Sequence, residues 1–118
     1  MTVQLVLTFN GVDKYYGDIP EISLYPDKFE EHQFGDAEKE LDWYLDEHFA
    51  MPVNELCDSL LGYGDVDYLD AKKCRKLIPW LEENIKKETK TEVIDIYNKL
   101  KEFANRAVDL STGIIIEM

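Results

Sequence analysis

Apolar residues recur in twos at the start of this chain, in threes and fours through its middle, and without interruption near its end. Val3, Leu5, Leu7 and Phe9 alternate with Gln4, Val6 and Thr8, the pattern of a strand. Asn10-Gly11 follows at once. A type I′ turn needs positive φ at both central residues, which Asn-Gly tolerates, so residues 12–16 are expected to return as a second hairpin strand. Between Pro20 and Pro26, Ile22 and Leu24 alternate with polar residues in EISLY, which predicts a short third or edge strand.

From residue 37 the spacing turns helical. Asp36 is placed to cap a helix over 37–49, with Leu41, Leu45 and His48 or Phe49 as its buried stripe and Ala37 and Tyr44 widening it. Pro52 can open a second short helix in which Val53, Leu56, Cys57 and Leu60 share a face, and the two glycines of LGYGD end it. Asp70 caps the next helix, whose apolar positions are Cys74, Leu77, Ile78, Leu81 and Ile85. Pro79 interrupts it. A proline there removes one backbone hydrogen bond and pushes Ile78 from α geometry, so a kink or two short helices are expected.

Thr89 or Thr91 is expected to cap the last helix, with Thr89 and Glu92 at capping-box spacing. Its stripe of Val93, Ile96, Leu100, Phe103, Ala107 and Leu110 is the clearest periodicity in the chain. Ser111-Thr112-Gly113 ends it, and Ile114, Ile115 and Ile116 are β-branched and apolar on both faces, as in a strand inside a sheet. That strand is expected beside the first. No repeat or linker divides the 118 residues. The pattern predicts a single α+β domain over 1–118: an N-terminal hairpin or meander, three to four helices on one face of a small sheet, and a closing C-terminal strand.

Charge adds an asymmetry that periodicity does not show. The net charge is −12, yet residues 13–70 carry 17 acidic residues against three lysines, and residues 71–118 carry eight acidic and ten basic. All the net acidity lies in one half, which points to a charged interaction surface. In the C-terminal helices Glu82 with Lys86, Glu83 with Lys87, Asp95 with Lys99 and Glu102 with Arg106 stand at favourable i,i+4 spacing. In GDAEKELDWYLDEHF, residues 35–49, the same spacing joins Asp36 to Glu40, Glu38 to Asp42 and Asp42 to Asp46. Those like-charge pairs each cost a few tenths of a kcal/mol, roughly what an opposite pair contributes. A merely solvated face would carry such charges too. Trp43 favours docking, because it shares a helix face with Asp36, Glu40 and Glu47, away from Leu41 and Leu45, and an aromatic ringed by charge resembles an interface anchor.

A second acidic group, Asp65, Asp67 and Asp70, lies among Tyr63 and Tyr68 in the glycine-containing stretch GYGDVDYLD. Its spacing lacks the sixth-position glycine and twelfth-position glutamate of a calcium loop, so it reads as a loop with a helix cap that extends the acidic surface, and no metal is expected. The candidate partner-binding residues are therefore Asp36, Glu40, Asp42, Trp43, Asp46, Glu47, Asp65 and Asp67.

Chemistry is sparse. His32 and His48 are the only histidines, and no GxSxG elbow, HExxH or phosphate-cradling glycine loop is present. Cys57 and Cys74 have neither a metal spacing nor CxxC, and both sit on apolar helical faces, so they read as reduced, inert thiols. The expectation is a non-enzymatic protein with no catalytic residues and no cofactor. Phosphates would be repelled, since KKCRK at 72–76 is the only basic run. With no run of 18 apolar residues, and a start, MTVQLVLTFNG, lacking a basic leader and cleavage site, a cytoplasmic protein without a membrane segment is expected.

In layout the chain resembles the small acidic immunity proteins that bacteria make beside interbacterial toxins: a short N-terminal hairpin, an acidic middle, then YLDAKKCRKLIPWLEENI, a long helix and the final strand TGIIIEM. The resemblance implies a stoichiometric inhibitor of a basic toxin domain, often a nuclease. It transfers no site residue. Phage-encoded inhibitors of host nucleases, including nucleic-acid mimics, look similar, and a homo-oligomeric scaffold that buries Trp43 and the tyrosines against a second copy is the alternative of another class.

Overall fold

The computed structural model describes residues 1–35 and 39–118. In chain order its elements are β1 (Thr2–Val6), β2 (Tyr15–Tyr16), β3 (Ile19–Pro20), β4 (Phe29–Gln33), α1 (Lys39–Leu45), α2 (Met51–Cys57), β5 (Val66–Asp70), α3 (Ala71–Lys87), α4 (Thr91–Leu110) and β6 (Gly113–Glu117). The chain is α+β. Its main sheet has the order β4-β1-β6-β5, and every neighbouring pair is antiparallel.

The isoleucine run explains this order. Ile114, Ile115 and Ile116 are all buried, so β6 needs a strand on each edge and apolar cover on each face. On the helical face Ile114 and Ile116 join Val3, Leu5 and Leu69 in the main core with Leu77, Leu81, Leu100 and Phe103. On the other face Ile115 packs with Val6 and Phe29, flanked by Phe9, Ile19, Ile22, Tyr25 and Tyr68. Gly113 is required where that second face closes: a Cβ there would stand 2.4 Å from the Leu69 carbonyl oxygen and 2.5 Å from the Tyr68 ring.

The N-terminal hairpin is wider than the pattern predicts. Asn10-Gly11 does turn the chain, with Gly11 at φ +81°, but the strand that returns along β1 is β4, pairing Val6 with Phe29 and Thr2 with Gln33. Residues 15–16 pair instead with 19–20 in a separate ribbon. EISLY forms a 3-10 turn at Ile22–Leu24 in place of the expected strand. This excursion takes that form because it covers the Ile115 face, so Ile19, Ile22 and Tyr25 turn inward to a surface that local alternation does not encode. The segment 66–70, read as loop, is the edge strand β5; Leu69 is buried opposite Ile114.

Helical corrections have local causes. The expected break before Pro52 is absent: α1 and α2 run into one another through a π turn over Asp46–Ala50, in which Met51 N–H reaches the Asp46 carbonyl. A regular turn would drive the Pro52 ring against the His48 carbonyl, and the widened turn relieves that clash. Pro79 likewise leaves α3 a single helix. It is exposed, as is Arg75, whose carbonyl loses its helical donor to the proline. Asp70 caps α3 as expected, accepting from Lys73 N at 2.9 Å.

The capping box of Thr89 and Glu92 does not form, because Glu88 takes the Thr89 and Lys90 amides at 3.1 and 3.0 Å. Of the four i,i+4 ion pairs only Lys87 with Glu83 forms, at 3.4 Å. Lys99 pairs with Glu102, and Arg106 makes a bidentate bridge to Glu30 of β4 at 2.7 and 2.9 Å. Among the described residues no helix is long and apolar enough to cross a membrane.

Leu100 and Phe103 are almost wholly buried between α3, α4 and the sheet. Leu100→Ala or Phe103→Ala is therefore expected to lower unfolding free energy in urea by about 2–5 kcal/mol through cavity formation, whereas Trp43→Ala changes it by less than about 0.5 kcal/mol.

Candidate docking site

The inner face of α1 fixes what its outer face presents. Leu45 and, one turn on, Phe49 are buried; Phe49 packs against Trp80 and Tyr97 with ring centroids 5.8 Å apart in each case. Tyr44 reaches sideways to the α3–α4 turn. Its hydroxyl donates to the Glu88 carboxylate at 2.7 Å, and Lys90 Nζ lies 5.1 Å from its ring centroid. With these contacts made on one side, Trp43 points into solvent at 70% exposure.

The segment between α2 and β5 folds back toward this residue, held by side chains that bond backbone. Asn54 accepts from Leu61 N and donates to Leu61 O, each at 2.7 Å. Asp67 accepts from Leu60 N and Tyr68 N, each at 2.8 Å. Asp46 then accepts from Tyr63 N at 3.1 Å, tying the loop to the end of α1. Tyr63, 67% exposed, is thereby set beside Trp43, and the two line a shallow cavity of about 280 Å³ with Lys39 and Asp42.

The carboxylates gather around this pair. A Cβ on Gly62 would stand 2.9 Å from Asp65 Oδ2, too close without a shift of that carboxylate, and at ordinary contact distance, 3.5 Å, from Asp46 Oδ1. Glycine at 62 leaves the Asp65 carboxylate its place beside the turn. Glu40 and Glu47 are exposed on α1 and the turn after it, Asp42 and Asp46 are half-buried, and Asp65 is exposed. Asp36 lies outside the described residues, as do the two like-charge pairs that involve Asp36 and Glu38. The third, Asp42 with Asp46, is eased because Asp46 holds the Tyr63 amide.

Asp67 has a different place from the rest. Both its oxygens accept backbone amides, so it shapes the loop from behind the acidic face. Tyr63 is the residue missing from the sequence-derived set; the available signal was its position between two glycines, Gly62 and Gly64, where an aromatic has little local apolar company. His48 is exposed, stacked on Tyr44 at 4.2 Å and 3.8 Å from Glu47.

The two thiols lie away from this surface. Cys57 and Cys74 are free and buried. Burial pushes the Cys57 thiol up and the Cys74 thiol up to about 12, leaving Cys74 protonated near neutral pH. Among the described residues no three His, Cys, Asp or Glu side chains converge as metal ligands. Asp67 and Asp70 both accept backbone amides. No protein-family model, no curated protein and no solved structure matches the chain.

The Tyr44–Glu88 bond has a defined pH window. Burial pushes the Glu88 carboxyl up, but hydrogen bonds from Tyr44 and from the Lys90 and Thr89 amides outweigh it and leave its pKa lowered. The hydrogen bond to Glu88, with burial, raises that of Tyr44. A lowered acid contributes stability above its unfolded pKa and loses it as pH falls through the folded value; a raised phenol contributes below its unfolded pKa and loses it as pH rises through the folded value. Tyr44→Phe is thus expected to cost about 1 kcal/mol near neutral pH. In urea melts at several pH values, that difference shrinks toward zero as Glu88 is protonated, and an undiminished difference would assign the loss to packing.

Proposed function

We propose that this protein is a non-enzymatic, acidic inhibitor that binds one basic protein partner stoichiometrically, in the manner of an immunity protein neutralising a toxin or nuclease domain. The observation that carries this reading is the pairing of Trp43 and Tyr63. Two large aromatics, 70% and 67% exposed, line one shallow cavity with Asp42, and Glu40, Asp46, Glu47 and Asp65 lie on the same helix and loop. Exposed apolar surface rimmed by polar groups is a mark of an interaction site, and aromatic anchors inside a ring of solvent-excluding contacts dominate binding energy where they occur.

The charge sets the partner's chemistry. Enzymes that act on nucleic acids carry basic clefts, and a fixed array of carboxylates raises the rate of encounter with such a cleft and competes with the substrate for it. The preorganisation of the array supports the same reading. Asp46 is fixed by the Tyr63 amide and α1 is tied down by the Tyr44–Glu88 bond, so little ordering remains to oppose association. A cytoplasmic location belongs to this proposal, as does activity without cofactor or metal.

The test begins with co-purification of a basic protein in a one-to-one complex from the native host, followed by binding kinetics across salt concentrations. Glu40, Asp42 and Glu47 changed together to lysine should slow association by about tenfold or more, with the wild-type rate falling as salt rises. Asp46 is left in place because it holds the loop. Trp43→Ala and Tyr63→Ala should act mainly on dissociation, each by about tenfold or more. An unchanged association rate in the charge-reversed protein, with its circular dichroism intact, would make this surface a solvated face. A stable homodimer in light scattering with Trp43 and Tyr63 buried in its contact would favour self-association instead.

A further inference from the structure

A second cavity lies on the other side of Asp42. Met1, Phe34, Leu41, Leu45 and Ile96 supply its apolar wall, Asp42, Glu92 and Asp95 supply its carboxylates, and its volume is about 280 Å³. Glu92 and Asp95 are exposed and Asp42 half-buried. The lysine expected to pair with Asp95 is engaged elsewhere, since Lys99 Nζ sits 2.8 Å from Glu102. Among the described residues none of the three carboxylates has a cation within 4.0 Å. The positive end of α4 favours acids at Glu92 and Asp95, but it does not account for an apolar hollow beneath them or for Asp42 on the facing helix.

Apolar wall and anionic rim together define the occupant. A wholly apolar side chain would fill the hollow and leave three carboxylates partly desolvated without a donor. A carboxylate or phosphate would be repelled. An arginine satisfies both parts: its methylene stem covers apolar surface while its weakly hydrated guanidinium offers five donors to acceptor-only groups. We propose that this cavity receives an arginine side chain of the basic partner, the stem against Leu41 and Ile96 and the guanidinium among Asp42, Glu92 and Asp95. This rests on the docking reading above and extends it. Asp42 lines both cavities, so the arginine and the group that meets Trp43 and Tyr63 come from one contiguous stretch of partner surface.

The test needs no partner. The ¹⁵N-labelled protein is titrated with n-butylguanidinium, with n-butanol and n-butylammonium as comparisons, and amide shifts are followed. Saturable shifts are expected at Leu41, Asp42, Asp95 and Ile96, weaker with the ammonium and absent with the alcohol. The double variant D42N/D95N should raise the dissociation constant by about tenfold, and Leu41→Trp, which fills the hollow, should remove the shifts while the rest of the spectrum is kept. Shifts that grow linearly at carboxylates all over the surface, or saturable binding indifferent to both variants, would overturn the arginine site. That failure would leave the Trp43 and Tyr63 surface standing, whereas loss of the kinetic effects described for that surface would not touch the guanidinium titration.

Discussion

The structure depends on a strand that cannot show either face to water. Ile114, Ile115 and Ile116 are all buried, and burying such side chains is worth about 1.5–3 kcal/mol each. β6 therefore takes an interior position with β1 and β5 on its edges, the α3–α4 hairpin on one face and the 7–28 excursion on the other. The candidate docking surface follows from that arrangement. Once β5 is drawn in against β6, the segment before it must run back from α2, and Asn54, Asp67 and Asp46 fasten it to the end of α1. Tyr63 arrives beside Trp43 as a consequence of closing the sheet.

How much of this was legible depends on whether the information is local. The α4 stripe from Val93 to Ala107, the buried β6 and the Asp70 cap are each set by residues close in sequence and are found where the pattern places them, whereas Leu110, the expected last member of the stripe, is exposed. The partner of β1 was not legible, because Asn10-Gly11 specifies a turn and not which strand returns; that choice is made by Phe29 opposite Val6 and by the need to cover Ile115. β5 was hidden by its aspartates. Asp67 belongs to an alternation of Val66 and Tyr68 on one face with Asp67 and Leu69 on the other, but its carboxylate turns to the Leu60 amide, so an acidic residue occupies an inward position without being desolvated unpaired.

For the candidate site, the sequence identified the charge and Trp43, and missed the geometry that organises them. The residues of α1 were readable as a face because helix spacing is local. Tyr63 was not, since its place beside Trp43 depends on one hydrogen bond across 17 positions, from its amide to Asp46, and on a glycine at 62 that leaves room for the Asp65 carboxylate. The π turn is a mixed case: Pro52 announces a disturbance, and the widened turn that relieves it keeps Phe49 and Val53 in the core on one continuous helix.

The central claim is that α1 and the loop before β5 act as one docking surface. Hydrogen–deuterium exchange of the protein alone and saturated with its co-purified basic partner tests it most directly, since exchange reports local opening segment by segment. The account predicts slowed exchange in residues 40–47 and 60–65 together, with the β2–β3 ribbon unchanged. Slowing confined to the ribbon or to the exposed face of α3, with 40–47 and 60–65 exchanging as in the free protein, would contradict it.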